Sequence, residues 1–439
     1  MTEHALVTGI LLVVLFFAGT YVAAAIGIVA LTLLTVFTDR PMWAISGIIT
    51  WNTNTTEVLL AIPFFVLAGE FLTKSGLTDR LYRSLSQWLN PIPGGLLHTN
   101  IVASAVFASM CHSSAATTAA ISTIAVPHFR SRGYDERAML GSVVAGGTLG
   151  VLIPPSVPMI VYSVLAEESV GRLYFAAIVP GALMIAAFML VILILAKIRP
   201  QIAPKEKLGS RRERMWALLN LMPIGTLVLV ILGTMYFGLA TPTEAASLGC
   251  VGSLGLALLS RNFTWEKLAD CFLSMSQTVG MIMLITTAAF ILQFALGALG
   301  VSSAIARAAS TSDLRPSQMI LFIMLVYLLF GCVMDTFAII VTTVPILAPV
   351  LKTLGVDMVW FGIIILMINE VGLIHPPYGL NLFVIQGVRQ RLAKAGEKVP
   401  MADVYMGVLP YLIPIGLGLA AFYLFPGISL WLPGVMMGR

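Results

Sequence analysis

Five stretches of this chain, residues 5–38, 138–166, 173–196, 271–306 and 404–438, contain no Asp, Glu, Lys or Arg. Each exceeds the roughly 20 residues that an α-helix needs to cross ~30 Å of hydrocarbon. A soluble fold is excluded on the same ground: with 10% charged and 59% hydrophobic residues, the 439-residue chain cannot cover its surface with polar groups. Outer-membrane barrels read as short alternating segments, whereas these runs are continuously apolar. The expected fold class is therefore an all-α polytopic membrane protein. Residues 1–38 are expected to be a retained span, because Met1 to His4 is not basic and no small-residue cleavage site interrupts the run before Asp39.

The chain repeats itself. Shifted by 222 residues, Ala116, Ile124, Pro127, Gly133, Asp135, Gly150, Pro154 and Pro155 fall on Ala338, Ile346, Pro349, Gly355, Asp357, Gly372, Pro376 and Pro377, and Arg130 falls on Lys352. Most of these are Gly, Pro or Asp, so what recurs is the set of positions where helices stop. In each copy two short apolar legs, 95–110 with 115–127 and 317–332 with 337–349, flank a polar tip, Ser109 to Ser114 or Gly331 to Thr336. Legs of that length suit a re-entrant hairpin. A longer apolar segment follows, 138–166 or 358–388, interrupted by Gly-x-x-x-Pro-Pro. A double proline at mid-membrane frees carbonyls, which is tolerated only where the open backbone faces protein or a polar cavity.

Five crossings separate the two hairpins: 138–166, 172–197, 216–239, 243–260 and 276–300. An odd number places the repeats in opposite orientations, the inverted arrangement of secondary transporters. Charge tests this independently. Loops 74–91, 128–137, 197–214, 261–270 and 389–403 fall on one side and hold 19 of the 25 Lys and Arg residues; Arg40, Arg172, Arg307, Arg315, Lys352 and Arg439 are on the other. The basic side is cytoplasmic by the positive-inside rule. The seven basic residues of Lys197 to Arg214 read as a cytoplasmic connector touching lipid headgroups, so the net charge of +5 speaks to orientation and not to nucleic acid.

Tips and breaks meeting at mid-depth present hydroxyls and carbonyls, hard ligands suited to Na⁺, while helix N-termini there suit a carboxylate. Each half pairs its own tip with its own break, giving two cation sites. Among ionisable residues, Asp335 sits at the second tip and serves a cation or caps a helix. Glu370 contacts the site or bonds Asn369. His112 occupies the first tip, and His375 lies in the second break, where its backbone carbonyl matters more than its ring. Glu57 and Glu70 read as cap and packing partner of the span between them, and Glu244, after Thr241-Pro-Thr243, as a first-turn acid. Ser114, Ser156, Thr336 and Asn381 are the residues expected to face substrate. Cys111, Cys250, Cys271 and Cys332 show neither CxxC nor His at metal spacing and read as small apolar residues. P-loop, HExxH and GxSxG motifs are absent from the sequence, so no enzyme is expected.

Ile62-Pro-Phe-Phe-Val-Leu-Ala-Gly-Glu70, Gly146-Gly-Thr-Leu-Gly-Val-Leu-Ile-Pro-Pro-Ser-Val-Pro-Met-Ile-Val-Tyr162, Val179-Pro-Gly181 and Gly372-Leu-Ile-His-Pro-Pro-Tyr-Gly-Leu-Asn-Leu-Phe383 resemble the large membrane subunit of TRAP transporters nearly end to end. The resemblance implies an elevator-type, Na⁺-driven importer of organic acids in the bacterial inner membrane. It would work with a small four-helix membrane subunit and a periplasmic substrate-binding protein. One Na⁺ site would match Ser109, Ser113 and Ser114 with Gly150, Ile153 and Pro155. The second would match Gly331, Gly372, His375 and Tyr378, with Asp335 beside it. The first tip departs from the family's Ser-Gly-Ser-Ser, here Cys111-His-Ser-Ser114, and His375 stands where Thr is common. The division implied is a scaffold over 1–94, a first repeat over 95–200, a basic connector over 201–215, further scaffold over 216–316 and a second repeat over 317–439. Trp43, Trp51 and Trp88 would anchor the N-terminal scaffold, which would hold the small subunit. The alternative is a self-sufficient anion symporter or channel that needs no binding protein.

Overall fold

The computed structural model describes residues 2–38, 44–111, 113–204, 210–260, 263–301, 303–305, 307, 315–332, 334–394 and 396–437. Trp43, His112, Arg40 and most of 311 to 315 lie outside the described residues. Among the described residues every regular element is helical. Six are long and apolar enough to span: Glu136–Ala166, Val170–Ile198, Arg211–Tyr236, Trp265–Ala298, Thr336–Thr353 and Met401–Leu424. Ile45–Asn54 and Glu57–Lys74 together make a seventh candidate, bent by 52°. Thr55 and Thr56 explain that bend, because their hydroxyls donate back to the Trp51 and Asn52 carbonyls while Thr56 turns extended.

Both hairpins are present. The first pairs Leu96–Cys111 with Ser114–Arg132, and the second pairs Pro316–Gly331 with Thr336–Thr353. Each second leg begins with a side-chain cap: Ser113 Oγ accepts from the Ala116 amide and Asp335 Oδ2 from the Phe337 amide. Among the described residues, the broken segment Glu136–Ala166, Val170–Ile198, Arg211–Tyr236, Pro242–Leu258 and Trp265–Ala298 lie between the hairpins, and Pro242–Leu258 starts with a Thr241/Glu244 capping box.

Past each hairpin the chain turns in the same way. Gly133 and Gly355 end the second legs at φ +71° and +73°, a left-handed conformation that favours glycine, and Asp135 and Asp357 cap the helices that follow. Those helices then break at matching positions. Ile153 stops the first at φ −93°, ψ 120°, and His375 stops the second at φ −77°, ψ 121°. In the first the helix resumes as Val157–Ala166, and in the second as Leu380–Arg391. Of the hydrophobic window of Glu136–Ala166, 89% is buried, against 22% for Arg211–Tyr236, so the broken helix runs through the centre and the unbroken one lies at the periphery.

The repeats are laced together. Each hairpin's second leg packs on the last part of the other repeat's broken helix, Ser114–Arg132 on Leu380–Arg391 and Thr336–Thr353 on Val157–Ala166. Ion pairs close both ends. Arg130 meets Glu397 at 2.7 Å, and its repeat equivalent Lys352 meets Glu167 at 3.0 Å. At the first of these ends the fully buried Arg389 grips Glu136 through two nitrogens at 2.9 and 3.0 Å and also reaches Asp403 at 3.0 Å.

Candidate functional site

In each repeat the break is pressed against the tip by glycines with no room for a side chain. A Cβ on Gly150 would lie 2.9 Å from both the backbone nitrogen and the Cα of Ser114, and one on Gly372 would lie 2.5 Å from the Gly331 carbonyl carbon. Tip and break therefore touch, backbone to backbone, at repeat-equivalent glycines.

The two second legs open onto one cavity of about 350 Å³. Ser113, Ser114 and Ala116 from the first hairpin and Asp335, Thr336 and Phe337 from the second line it, so two helix N-termini with their free N–H groups converge on the same space. Such ends attract anions. Thr336 Oγ1 is buried there without a hydrogen-bond partner. The Asp335 carboxylate caps its own helix and faces the cavity as well.

The other expected residues divide between this cavity and its surroundings. Ser109 and Ile153 share a separate, apolar cleft with Pro154, Gly181 and residues of Arg211–Tyr236. The Ser109 hydroxyl donates to the Val106 carbonyl in its own helix, because a serine one turn from a carbonyl satisfies itself there. Pro155 and Ser156 form the break itself, with the Ser156 carbonyl accepting from the Tyr174 hydroxyl at 3.2 Å. In the second break the Pro377 carbonyl accepts from the Tyr405 hydroxyl at 3.0 Å and the His375 carbonyl from the Gly379 amide at 3.1 Å. The His375 ring is exposed, Tyr378 is 65% exposed, and neither lines the cavity. Ser156 and Asn381 are fully buried with side-chain polar atoms unpartnered.

Two acids bear on the site: Glu70, whose place there differs from its expected packing role, and Glu370, for which contact with the site was one of two expectations. Glu70, expected to be a packing partner, lines the cavity together with Thr73 of the same helix and Thr278 of Trp265–Ala298. A carboxylate in a helix whose preceding nine residues are apolar was the available signal; Thr278 carried none. Glu370 does not bond Asn369, whose side chain is buried and unpartnered; both its carboxylate oxygens lie within hydrogen-bond reach of the Ser114 hydroxyl, at 2.9 and 2.8 Å.

The oxygen-bearing side chains gathered here are the hydroxyls of Thr73, Ser113, Ser114, Thr278 and Thr336 and the carboxylates of Glu70 and Asp335. Among the described residues no cluster of three or more His, Cys, Asp or Glu forms a transition-metal set. Hydroxyl and carboxylate oxygens of this kind suit a hard monovalent cation, although Cys111, Met110 and Met281 also line the cavity.

The sequence profile of the family described as "Tripartite ATP-independent periplasmic transporter, DctM component" matches residues 9–428. The chain is 35% identical over 389 residues to the C4-dicarboxylate TRAP transporter large permease protein DctM of Pseudomonas aeruginosa, covering 87% of this chain and 88% of that one. It is 29% identical over 386 residues to the sialic acid TRAP transporter large permease protein SiaM of Vibrio cholerae, covering 87% of each. With the isethionate TRAP transporter permease protein DctMQ of Oleidesulfovibrio alaskensis it shares 32% identity over 403 residues, which is 89% of this chain and 62% of that one. Among solved structures, the YdaH transporter of Alcanivorax borkumensis superposes with a TM-score of 0.65 over 90% of both chains at 14% identity, a likeness of fold.

Proposed function

The chain belongs to the DctM-component family of tripartite ATP-independent periplasmic transporters, and from that premise we propose that it imports an organic acid across the bacterial inner membrane on a Na⁺ gradient. It is a multi-pass permease subunit of a secondary transporter of organic acids, not an enzyme. A periplasmic binding protein delivers the acid, and a small four-helix membrane subunit sits on the scaffold helices of residues 1–94. The DctMQ name of one relative supports that partnership.

The observation that carries the reading is that two hairpin tips, each pressed by a glycine against its own break, bring the starts of their second legs to one cavity. Each contact brings break carbonyls, whose second lone pairs remain for an ion, beside a tip and supplies one Na⁺ site. In the first, Ser113, Ser114 and the backbone at Gly150 and Ile153 face the ion, with Ser109 behind. In the second, Gly331, Asp335 and the carbonyls of Gly372 and His375 do so. The carboxylate of the substrate settles between the two second-leg N-termini at Ser114 and Thr336, with Ser156 and Asn381 behind them. Hairpins and broken helices move as one body against the scaffold, exposing the cavity to each side in turn. ATP-driven pumping lacks its parts here, because the sequence carries no P-loop motif.

Uptake into proteoliposomes with imposed Na⁺ gradients tests the proposal. Pro155→Ala and Pro377→Ala restore a backbone donor, letting the helix close and withdraw its carbonyls, so each raises the Na⁺ concentration needed for uptake by about tenfold for every ~1.4 kcal/mol lost. Prolines that only bend a helix would lower expression and leave the Na⁺ curve where it was. Uptake driven equally well by a proton gradient without Na⁺ refutes the reading. Uptake by the chain alone, without binding protein, would favour the self-sufficient symporter instead.

A further inference from the structure

Ser114 and Glu370 stand 256 positions apart, one in each repeat, and their hydrogen bond is the place where the two halves of the site meet side chain to side chain. Both residues are buried, at 3% and 1% exposure. None of the ion pairs among the described residues includes Glu370. A carboxylate at this depth is costly, so its presence calls for a task beyond filling space.

Its neighbours define that task. Ser114 is the residue whose backbone abuts Gly150, so any shift of the first tip on the first break moves its hydroxyl. Glu370 is followed two residues later by Gly372, which abuts Gly331, and preceded by Asn369, whose carbonyl lies 3.6 Å from the position of a Cβ on Gly331. One hydrogen bond thus spans the two tip–break contacts and begins within two residues of each.

We propose that Glu370 is a positioning residue that couples the two cation sites, by holding the first hairpin tip against the second broken helix through the Ser114 hydroxyl. The inference rests on the Na⁺ reading above. Seating the first tip on Gly150 aims Ser114 at Glu370, and the bond then steadies the helix that ends in the second break. An ion in either site therefore favours the geometry that receives an ion in the other, and linkage makes the effect reciprocal.

The test is the steepness of the Na⁺ dependence of uptake, using the full chain with the partner subunits it needs. The wild type gives a Hill coefficient above 1, bounded by ~2 for two sites. Glu370→Met keeps the volume and loses the acceptor; its Hill coefficient falls to about 1 and half-saturation rises several-fold. Glu370→Gln keeps an amide oxygen that accepts from Ser114 and so retains the steepness. A purely structural role predicts reduced stability and rate in Glu370→Met with the steepness unchanged, and that result overturns the proposal, as does a wild-type Hill coefficient of 1. A flat wild-type Na⁺ curve sinks the Na⁺ reading itself and is thereby told apart. Should Glu370→Met fail to fold, hydrogen exchange of full-length Ser114→Ala decides: Na⁺-induced protection over residues 372–379 must drop, and undiminished protection rejects the coupling.

Discussion

A methyl group on Gly150 would have only backbone to push against, since Ser114 nitrogen and Cα both lie 2.9 Å from it and Ser113 carbonyl carbon 3.0 Å. Gly372 is tighter still, with the Gly331 Cα at 2.6 Å. Gly150→Ala and Gly372→Ala should each cost about 1–3 kcal/mol of local packing and part the tip from its break. The expected outcome is a rise of the Na⁺ half-saturation by about tenfold or more in uptake assays, with protein still present in the membrane. Gly181→Ala is the internal control, because its Cβ meets Ile153 Cγ1 at an ordinary 3.5 Å. A Gly181 effect as large as that of Gly150 would refute the steric account. At this scale the turns were readable from residue types alone: Asp135 and Asp357 cap helices, and Gly133 and Gly355 terminate them, because capping and left-handed φ depend on neighbours within four residues. The partner of Glu370 was not readable, because no local rule connects a helix interior to a serine 256 residues away.

The first broken helix and the span Met401–Leu424 cross with their backbones close together at glycines. A Cβ on Gly141 would fall 1.8 Å from the Gly407 carbonyl oxygen, and one on Gly407 would fall 2.2 Å from that of Arg137. In hydrocarbon such small-residue crossings supply the packing that water cannot drive. Gly141→Val forces Glu136–Gly147 and Met401–Leu424 apart and also loosens the nearby Arg389, Glu136 and Asp403 cluster. We expect the thermal unfolding midpoint of the detergent-solubilised protein to drop by several degrees, while Gly416→Ala on the same span, with open space around it, leaves the midpoint unchanged. Equal midpoints for the two variants would contradict the crossing as a stability determinant. Helix breaks at Ile153 and His375 were legible through Gly-x-x-x-Pro-Pro, since proline acts on its own helix. The placement of Ser109 and Ile153 in a neighbouring apolar cleft was not, because which face of a helix meets which partner is decided by the whole bundle.

Among the described residues, the ion pairs of the hairpins and broken helices gather at two ends. One end carries Arg130, Glu136, Arg137, Arg389, Glu397 and Asp403, and the other carries Glu167, Arg172 and Lys352. Charge counting puts the first inside and the second outside. In a cysteine-free background, Lys398→Cys should react with an impermeant maleimide only from the cytoplasmic face and Glu167→Cys only from the periplasmic face. The reverse pattern, or both from one face, would break the inverted topology. The lacing of the repeats also sets a timetable. The hydroxyl of Ser114 reaches the ribosome's exit 256 residues ahead of the carboxylate it binds. At ~5–20 residues per second, synthesis leaves the first hairpin without that partner for roughly 13 to 50 s. Its leg Ser114–Arg132 likewise lacks Leu380–Arg391 to pack on during that time. The half of the protein made first therefore has to be sheltered, by lipid or by the insertion machinery, until the half made last arrives to hold it.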